Sequence, residues 1–225
     1  MKNHEYIWED EPGSFAFPVA KAGHPVIIGC AFITLIFALI QWKVLTLITL
    51  LITIGICLFF RDPDRIIPNN DSAIVSPADG KVIFADIVDN SILDNSTCYK
   101  ISIFMSVLNV HVNRIPYNGT IKDIMYTPGK FFSANLDKAS EKNEQSAMII
   151  EYKKGKEIGV VQIAGLIARR IICNVQTGDK VRRGSRYGMI CFGSRLDVYL
   201  PSDVKINVKR GDKVHAGFSI IGVLT

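Results

Sequence analysis

Two runs without a charged residue stand near the start of the chain. Residues 26–41 read VIIGCAFITLIFALIQ and residues 44–60 read VLTLITLLITIGICLFF, joined by Trp42-Lys43. A helix that spans a hydrocarbon core needs about 17–25 apolar residues, so each run sits at the lower edge of that range. The pair predicts a helical hairpin with Trp42 and Lys43 at the far interface. A hairpin that enters one leaflet and returns fits the short runs as well, and a buried helix pair in a soluble fold is the plain alternative. The apolar stretch is doubled and no small-residue cleavage pattern follows it, so a signal peptide is not expected.

Beyond Arg61 the pattern changes. Pro63 and the charges of Arg61-Asp62-Pro63-Asp64-Arg65 suit a helix end at the headgroup level. Helical periodicity then becomes scarce. Short β-branched and aromatic runs recur instead: KVIFADIV, KISIFMSV, GTIKDIMY, SAMIIEYKK, GVVQIAGLI, RRIICNV, RYGMICF, LDVYL, VKINV and SIIGVL, punctuated by Gly, Asn, Asp and Pro. That predicts a mainly β domain over residues 61–225, a sandwich or barrel. One internal echo is present: GDKVRRGSRYGMI (178–190) resembles GDKVHAGFSIIGVL (211–224). Such units resemble the hammerhead motif of lipoyl- and biotinyl-type domains and their duplicated relatives. No Lys stands at an exposed hairpin in the Met-Lys-Met style, which disfavours a carrier domain. Residues 127–146 form a long polar stretch around Phe131-Phe132, either a surface excursion or a wall of the site that touches lipid.

Composition changes the picture in three respects. At 225 residues and 48% hydrophobic, the chain holds one domain with a real core plus the apolar hairpin. The net charge of +5 favours anionic lipid weakly. Nothing in the sequence supports nucleic-acid binding, which needs a basic motif or an aromatic-basic patch. A hairpin leaves residues 1–25 and 61–225 on one side and only Lys43 on the other, which places the main domain on the cytoplasmic face of the cell membrane. The five cysteines, at 30, 57, 98, 173 and 191, lack metal-like spacing and read as reduced and structural.

Three groups carry candidate chemistry. Ser76-Pro77-Ala78-Asp79-Gly80 places a carboxylate in a turn before a strand. Phe104 to Arg114 reads FMSVLNVHVNR and carries His111. The pair Gly193-Ser194 lies between the apolar run ending at Phe192 and the strand-like run from Asp197. Taken singly these are a turn aspartate, a strand histidine and a turn dipeptide. Together Asp79, His111 and Ser194 supply an orienting acid, a base and a nucleophile. The remaining histidines are weaker candidates: His4 and His24 border the apolar runs, and His215 lies in a GDKV turn.

SPADGKV, FMSVLNVHVNR, KFFSANLDKAS, VQIAGLIARRI and GMICFGSRLDVYLP resemble the phosphatidylserine decarboxylase proenzymes, in their short membrane-anchored class, from about Pro63 to Ile206. The resemblance implies that the chain cuts itself between Gly193 and Ser194. It implies a pyruvate cofactor, a covalent pyruvoyl group made from Ser194, whose ketone draws in the electrons released as carbon dioxide leaves. The products would be residues 1–193 and 194–225, a heterodimer of the two self-cleaved chains, with further dimerisation left open. His111 oriented by Asp79 becomes the candidate base. The implied partner is phosphatidylserine in the bilayer, the product is phosphatidylethanolamine, and no metal is implied. Arg114, Arg169, Arg170 and Arg195 are the candidates for binding the phosphate. Longer relatives carry a second histidine where this chain has Arg114, so either one histidine suffices or Arg114 has its own task.

Three rivals remain. A zinc endopeptidase on a related duplicated β fold would need a second histidine beside His111, and the sequence has none there. A membrane-tethered lipoyl-like module explains the hairpin and the echo but leaves Asp79, His111 and Gly193-Ser194 without a task. An archaetidylserine decarboxylase keeps the reaction and changes the lipid.

Overall fold

A computed structural model describes residues 18–89, 92–93, 97–129, 143–165, 171–191 and 193–225. The chain divides into two compact units, the helical pair up to Asp64 and a β domain from Arg65 to Thr225.

In the first unit α1 (His24–Leu39) follows a 3-10 turn, Lys21–Gly23, and α2 (Lys43–Phe59) returns against it. Pro25 suits the first turn of α1, where its missing N–H loses no helical bond. Trp42 stacks on Phe37 with ring centroids 5.9 Å apart at the connection. Thr34 and Thr53 hydroxyls meet between the helices at 3.3 Å, a polar contact of the kind that joins helices in lipid. The two ends are tied by Ala20 N–H to Phe60 O at 2.9 Å and Asp62 N–H to Pro18 O at 2.9 Å. No residue of α1 is buried, and Ile28, Phe32, Leu39, Val44 and Leu51 are all well exposed. A soluble core helix would hide such residues. The 19 residues Lys21–Leu39 are long and apolar enough to cross a membrane, and Lys43–Phe59 is a shorter apolar helix.

The second unit is mainly β, as the run pattern predicts. The ten runs fall on β2 (Gly80–Asp89), β3 (Thr97–Met105), β5 (Gly119–Thr127), β6 (Gln145–Lys153), β7 (Lys156–Ala164), β8 (Ile171–Cys173), β10 (Arg186–Ile190), β11 (Ser194–Pro201), β12 (Lys205–Ile206) and β14 (Ile220–Val223). Four very short strands complete the set: β1 (Ala73–Val75), β4 (Val112–Arg114), β9 (Lys180–Val181) and β13 (Lys213–Val214). An antiparallel eight-stranded sheet runs β13-β2-β3-β11-β7-β6-β5-β9, with three-stranded sheets β1-β14-β12 and β4-β10-β8 beside it.

The GDKV echo has a structural counterpart. Its two copies end in β9 and β13, the strands at opposite ends of the large sheet. Each opens on a glycine at positive φ, +95° at Gly178 and +103° at Gly211, which a side chain would resist. Each copy bonds its neighbour in the same way: Ile121 N–H reaches Asp179 O and Val82 N–H reaches Asp212 O, both at 2.9 Å.

β11 lies inside the large sheet. It pairs with β3 on one side and β7 on the other, and every residue from Ser194 to Leu200 is buried. Period-two alternation sends Leu196, Val198 and Leu200 into the main core with Ile101, Ile103, Met105 and Ala164. Tyr199 enters a second cluster with Ile163, Val161 and Cys98. Ser194 opens this strand, opposite Met105 and Ala164.

Candidate active site

The site grows from the corner where β10 gives way to β11. Ile190 N–H reaches His111 O at 3.4 Å, so β10 ends beside the start of β4. Gly193 then turns the chain at φ +64°, a left-handed conformation that glycine adopts without steric cost. A Cβ there would meet no other atom within 4 Å, so the backbone angle and not crowding calls for glycine. Ser194 follows with its side chain fully buried, and its Oγ has no hydrogen-bond partner among the described residues. A buried hydroxyl without a partner costs about 1–3 kcal/mol, and such a cost is a mark of functional positions.

His111 is also fully buried. Its Nδ1 lies 2.9 Å from Asn109 O. A carbonyl only accepts, so Nδ1 donates to it, and whenever the ring is neutral its lone pair then stands at Nε2, the form a general base needs. The FMSVLNVH sequence builds this locally. Asn109 Oδ1 accepts from Ser106 N–H at 2.9 Å and from Ser106 Oγ–H at 2.7 Å, closing a tight turn that aims the Asn109 carbonyl at the imidazole.

Asp79 is placed differently from the expectation that it orients His111. Its Oδ1 accepts from Ala216 N–H at 2.8 Å, and its Oδ2 accepts from Arg65 Nη2 at 2.9 Å. His215 Nδ1 lies 3.3 Å from Oδ2. Asp79 therefore fastens the 215–219 turn onto the Ser76–Asp79 loop, and its imidazole neighbour is His215. That loop is also pinned by Ser76 Oγ–H to Ala78 O at 2.7 Å and by Arg114 N–H to Pro77 O at 2.9 Å.

The arginines separate into three cases. Arg114 is 5% exposed and donates from Nη1 to Gly184 O at 2.9 Å. A Cβ at Gly217 would lie 2.9 Å from its Cδ, so the stem of Arg114 runs against that glycine. Arg195 is 2% exposed, on the sheet face opposite Ser194, with Nη2 donating to Asp197 Oδ2 at 2.9 Å. Lys100 Nζ approaches the same oxygen at 3.0 Å. Burial works most strongly against the Lys100 charge, but Asp197 and Tyr199 together outweigh it and hold the ammonium above its ordinary pKa. Arg195 and Arg114 thus enter buried networks through Asp197 and the Gly184 carbonyl. Arg169 and Arg170 lie outside the described residues, as do Phe131 and Phe132.

A pair of carboxamides completes the surroundings. Gln162 Nε2 donates to Asn113 Oδ1 at 2.8 Å and to Ile172 O at 3.3 Å, and Asn113 Nδ2 reaches Met105 Sδ at 3.7 Å. Met105 is the register partner of Ser194. The sequence carried a signal for Gln162 in the run GVVQIAGL, where one amide interrupts a strand that is otherwise apolar. Tyr187 lies buried nearby on β10, and burial pushes its phenol well above the usual range, so it stays a neutral group. Among the described residues no group of three or more His, Cys, Asp or Glu side chains is placed to hold a metal ion.

Gly188 is the narrow point of this arrangement. A Cβ there would stand 2.2 Å from Ile172 O and 3.0 Å from Gln162 Nε2. Gly188→Ala must push β8 away from β10, a strain of about 1–3 kcal/mol. The expected result is a lower unfolding midpoint in denaturant. A midpoint equal to that of the unmodified chain would mean β8 yields freely.

The family model described as phosphatidylserine decarboxylase matches residues 52–222. A phosphatidylserine decarboxylase proenzyme of Geotalea uraniireducens is 49% identical over 92% of this chain and 97% of its own length. Those of Syntrophotalea carbinolica and Desulfotalea psychrophila are 50% and 48% identical, the first over 92% of this chain and 97% of its own length, the second over 91% and 96%.

Proposed function

This chain belongs to the phosphatidylserine decarboxylase family, and on that footing we propose that it is a proenzyme that cuts itself between Gly193 and Ser194 and then converts phosphatidylserine to phosphatidylethanolamine. The observation that carries this reading is the β10–β11 corner: a glycine at φ +64° followed by a buried serine hydroxyl with no partner among the described residues, on a strand paired on both sides.

Maturation uses the chain's own atoms. His111 takes the Oγ proton while Oγ attacks the Gly193 carbonyl carbon, and the acyl group moves from nitrogen to oxygen. The ester then eliminates. The Ser194 Cα proton leaves, the Gly193 carboxylate departs with the former Oγ, and a dehydroalanine remains. Water hydrolyses its enamine form, ammonia is released, and the new terminus is a pyruvoyl group. The burial of Ser194 and the absence of a side chain at Gly193 both suit this sequence, since neither blocks the approach of hydroxyl to carbonyl. The pyruvoyl ketone supplies an electron sink for the pair released with carbon dioxide. The residues that hold this terminus are those of β3 and β7, whose ladders grip β11 from both sides and keep residues 194–225 seated after the cut.

In this reading residues 1–60 form the tail and membrane hairpin, and residues 61–225 form the decarboxylase domain on the cytoplasmic face. The exposed apolar surfaces of α1 and α2 support a tether to the membrane that holds the lipid substrate. The test is direct. Protein purified from an expressing cell should give two chains by denaturing gel and intact mass, residues 1–193 and 194–225, the smaller blocked to Edman chemistry by its keto terminus. A single uncut chain with full decarboxylase activity would overturn the proposal.

A further inference from the structure

Gln162 is a buried polar side chain to which maturation gives no task. It is 1% exposed, within a strand whose residues from Ile158 to Ala164 are all buried. Its orientation is fixed. Nε2 faces two acceptors, Asn113 Oδ1 and Ile172 O, and a flipped amide would set oxygen against oxygen at both. Oε1 is therefore a fixed acceptor, and it is buried with no hydrogen-bond partner among the described residues. Leaving such an atom dry costs about 1–3 kcal/mol, which a ligand's donor would recover.

The register says where that donor would lie. Ser194 pairs with Ala164, and Leu196 pairs with Gln162, so Gln162 and Ser194 are diagonal neighbours on one face of adjacent strands. Such neighbours have Cβ atoms within about 7–8 Å, inside the reach of a long side chain. The Ser194 hydroxyl is no lasting donor, because maturation carries its oxygen away with Gly193. We propose that Gln162 Oε1 receives an N–H of the lipid's amino group as that nitrogen approaches the carbon derived from Ser194, with Asn113 and the Ile172 carbonyl as the positioning groups. This rests on the decarboxylase reading above. A neutral amide suits the task better than a carboxylate. It orients a cationic nitrogen without cancelling the charge that draws electrons toward it, and it carries no buried charge of its own when the site is empty.

The test uses the matured, two-chain protein in detergent micelles and reads binding by calorimetry. The ligands are short-chain phosphatidylethanolamine, which has N–H donors, and phosphatidylcholine of the same chain length, which has none. The unmodified protein should prefer the amine by about tenfold or more, the worth of a buried hydrogen bond to a charged group. Gln162→Leu should be cleaved normally and bring the two affinities within about twofold of each other. Gln162→Glu keeps the shape and adds a titratable group, so its affinity for phosphatidylethanolamine should rise between about pH 5 and pH 8, relative to the unmodified protein. A cleaved Gln162→Leu with the full preference, or a Gln162→Glu with an unaltered pH profile, overturns the proposal. If every Gln162 variant stays uncut, the residue serves maturation and the amine assignment is wrong. A cut, unmodified protein that shows no preference likewise overturns the amine assignment, whereas an unmodified protein that stays uncut removes the decarboxylase reading instead.

Discussion

Ser194→Ala will stay one chain of 225 residues and will not decarboxylate phosphatidylserine. Alanine keeps the Cβ and fits the buried start of β11, so the ladders to Met105 and Ala164 remain and the fold survives. Removing the hydroxyl even relieves a buried group that has no partner among the described residues. What disappears is the nucleophile, and with it both the cut and the terminus that would serve as electron sink. The expected loss of activity is on the order of 10⁴-fold or more, the scale seen when a nucleophile that acts together with its base is deleted. Circular dichroism and the unfolding midpoint should match or exceed those of the unmodified chain. Two chains from Ser194→Ala would place the cut elsewhere, and full activity in an uncut Ser194→Ala would remove the serine from the chemistry altogether.

His111→Ala should slow maturation by about 10²–10⁴-fold, the usual worth of a positioned general base. The Nδ1 contact with Asn109 O sets the ring in the tautomer that accepts at Nε2, and the variant loses that acceptor from a fully buried position. Asp79→Asn should slow maturation less. Its carboxylate holds Arg65, Ala216 N–H and His215, so the change loosens the dock of the 215–219 turn and leaves the His111 ring present. The measurement is the rate at which uncut chain disappears after pulse labelling. A normal rate in His111→Ala overturns the assignment. A block in both Asp79→Asn and His215→Ala, with His111→Ala maturing normally, would move the base to the imidazole that Asp79 touches.

The contrast between these histidines shows how far the chain could be read without its fold. FMSVLNVH contains its own turn, because Ser106 and Asn109 are close enough in sequence to close it by themselves. The role of His111 as a candidate was therefore legible. His215 reads as a weaker candidate because it lies in a GDKV turn. Its partner is Asp79, 136 residues away. Arg114 was equally ambiguous, since an arginine in a strand can face a ligand or a carbonyl, and its acceptor is the Gly184 oxygen 70 residues on.

What the sequence determined by itself is what local physics determines. Uncharged runs made two helices whose apolar sides have no core to enter, and β-branched runs between glycine and proline made the ten principal strands. Gly193-Ser194 was marked because a flexible residue followed by a hydroxyl was set between two strong strand signals. The tertiary structure decided which side chains meet. β11 lies between β3 and β7, strands distant from it and from each other in the chain, and that order alone sets Ser194 against Met105 and Ala164. Packing of the β4-β10-β8 sheet against β7 brings Gln162 to Asn113, 49 residues apart, and makes the Gln162 oxygen a fixed acceptor on the Ser194 face. Strand propensity acts over a few residues, whereas a hydrogen bond between side chains depends on sheet order and register, and those are settled only when the whole core packs.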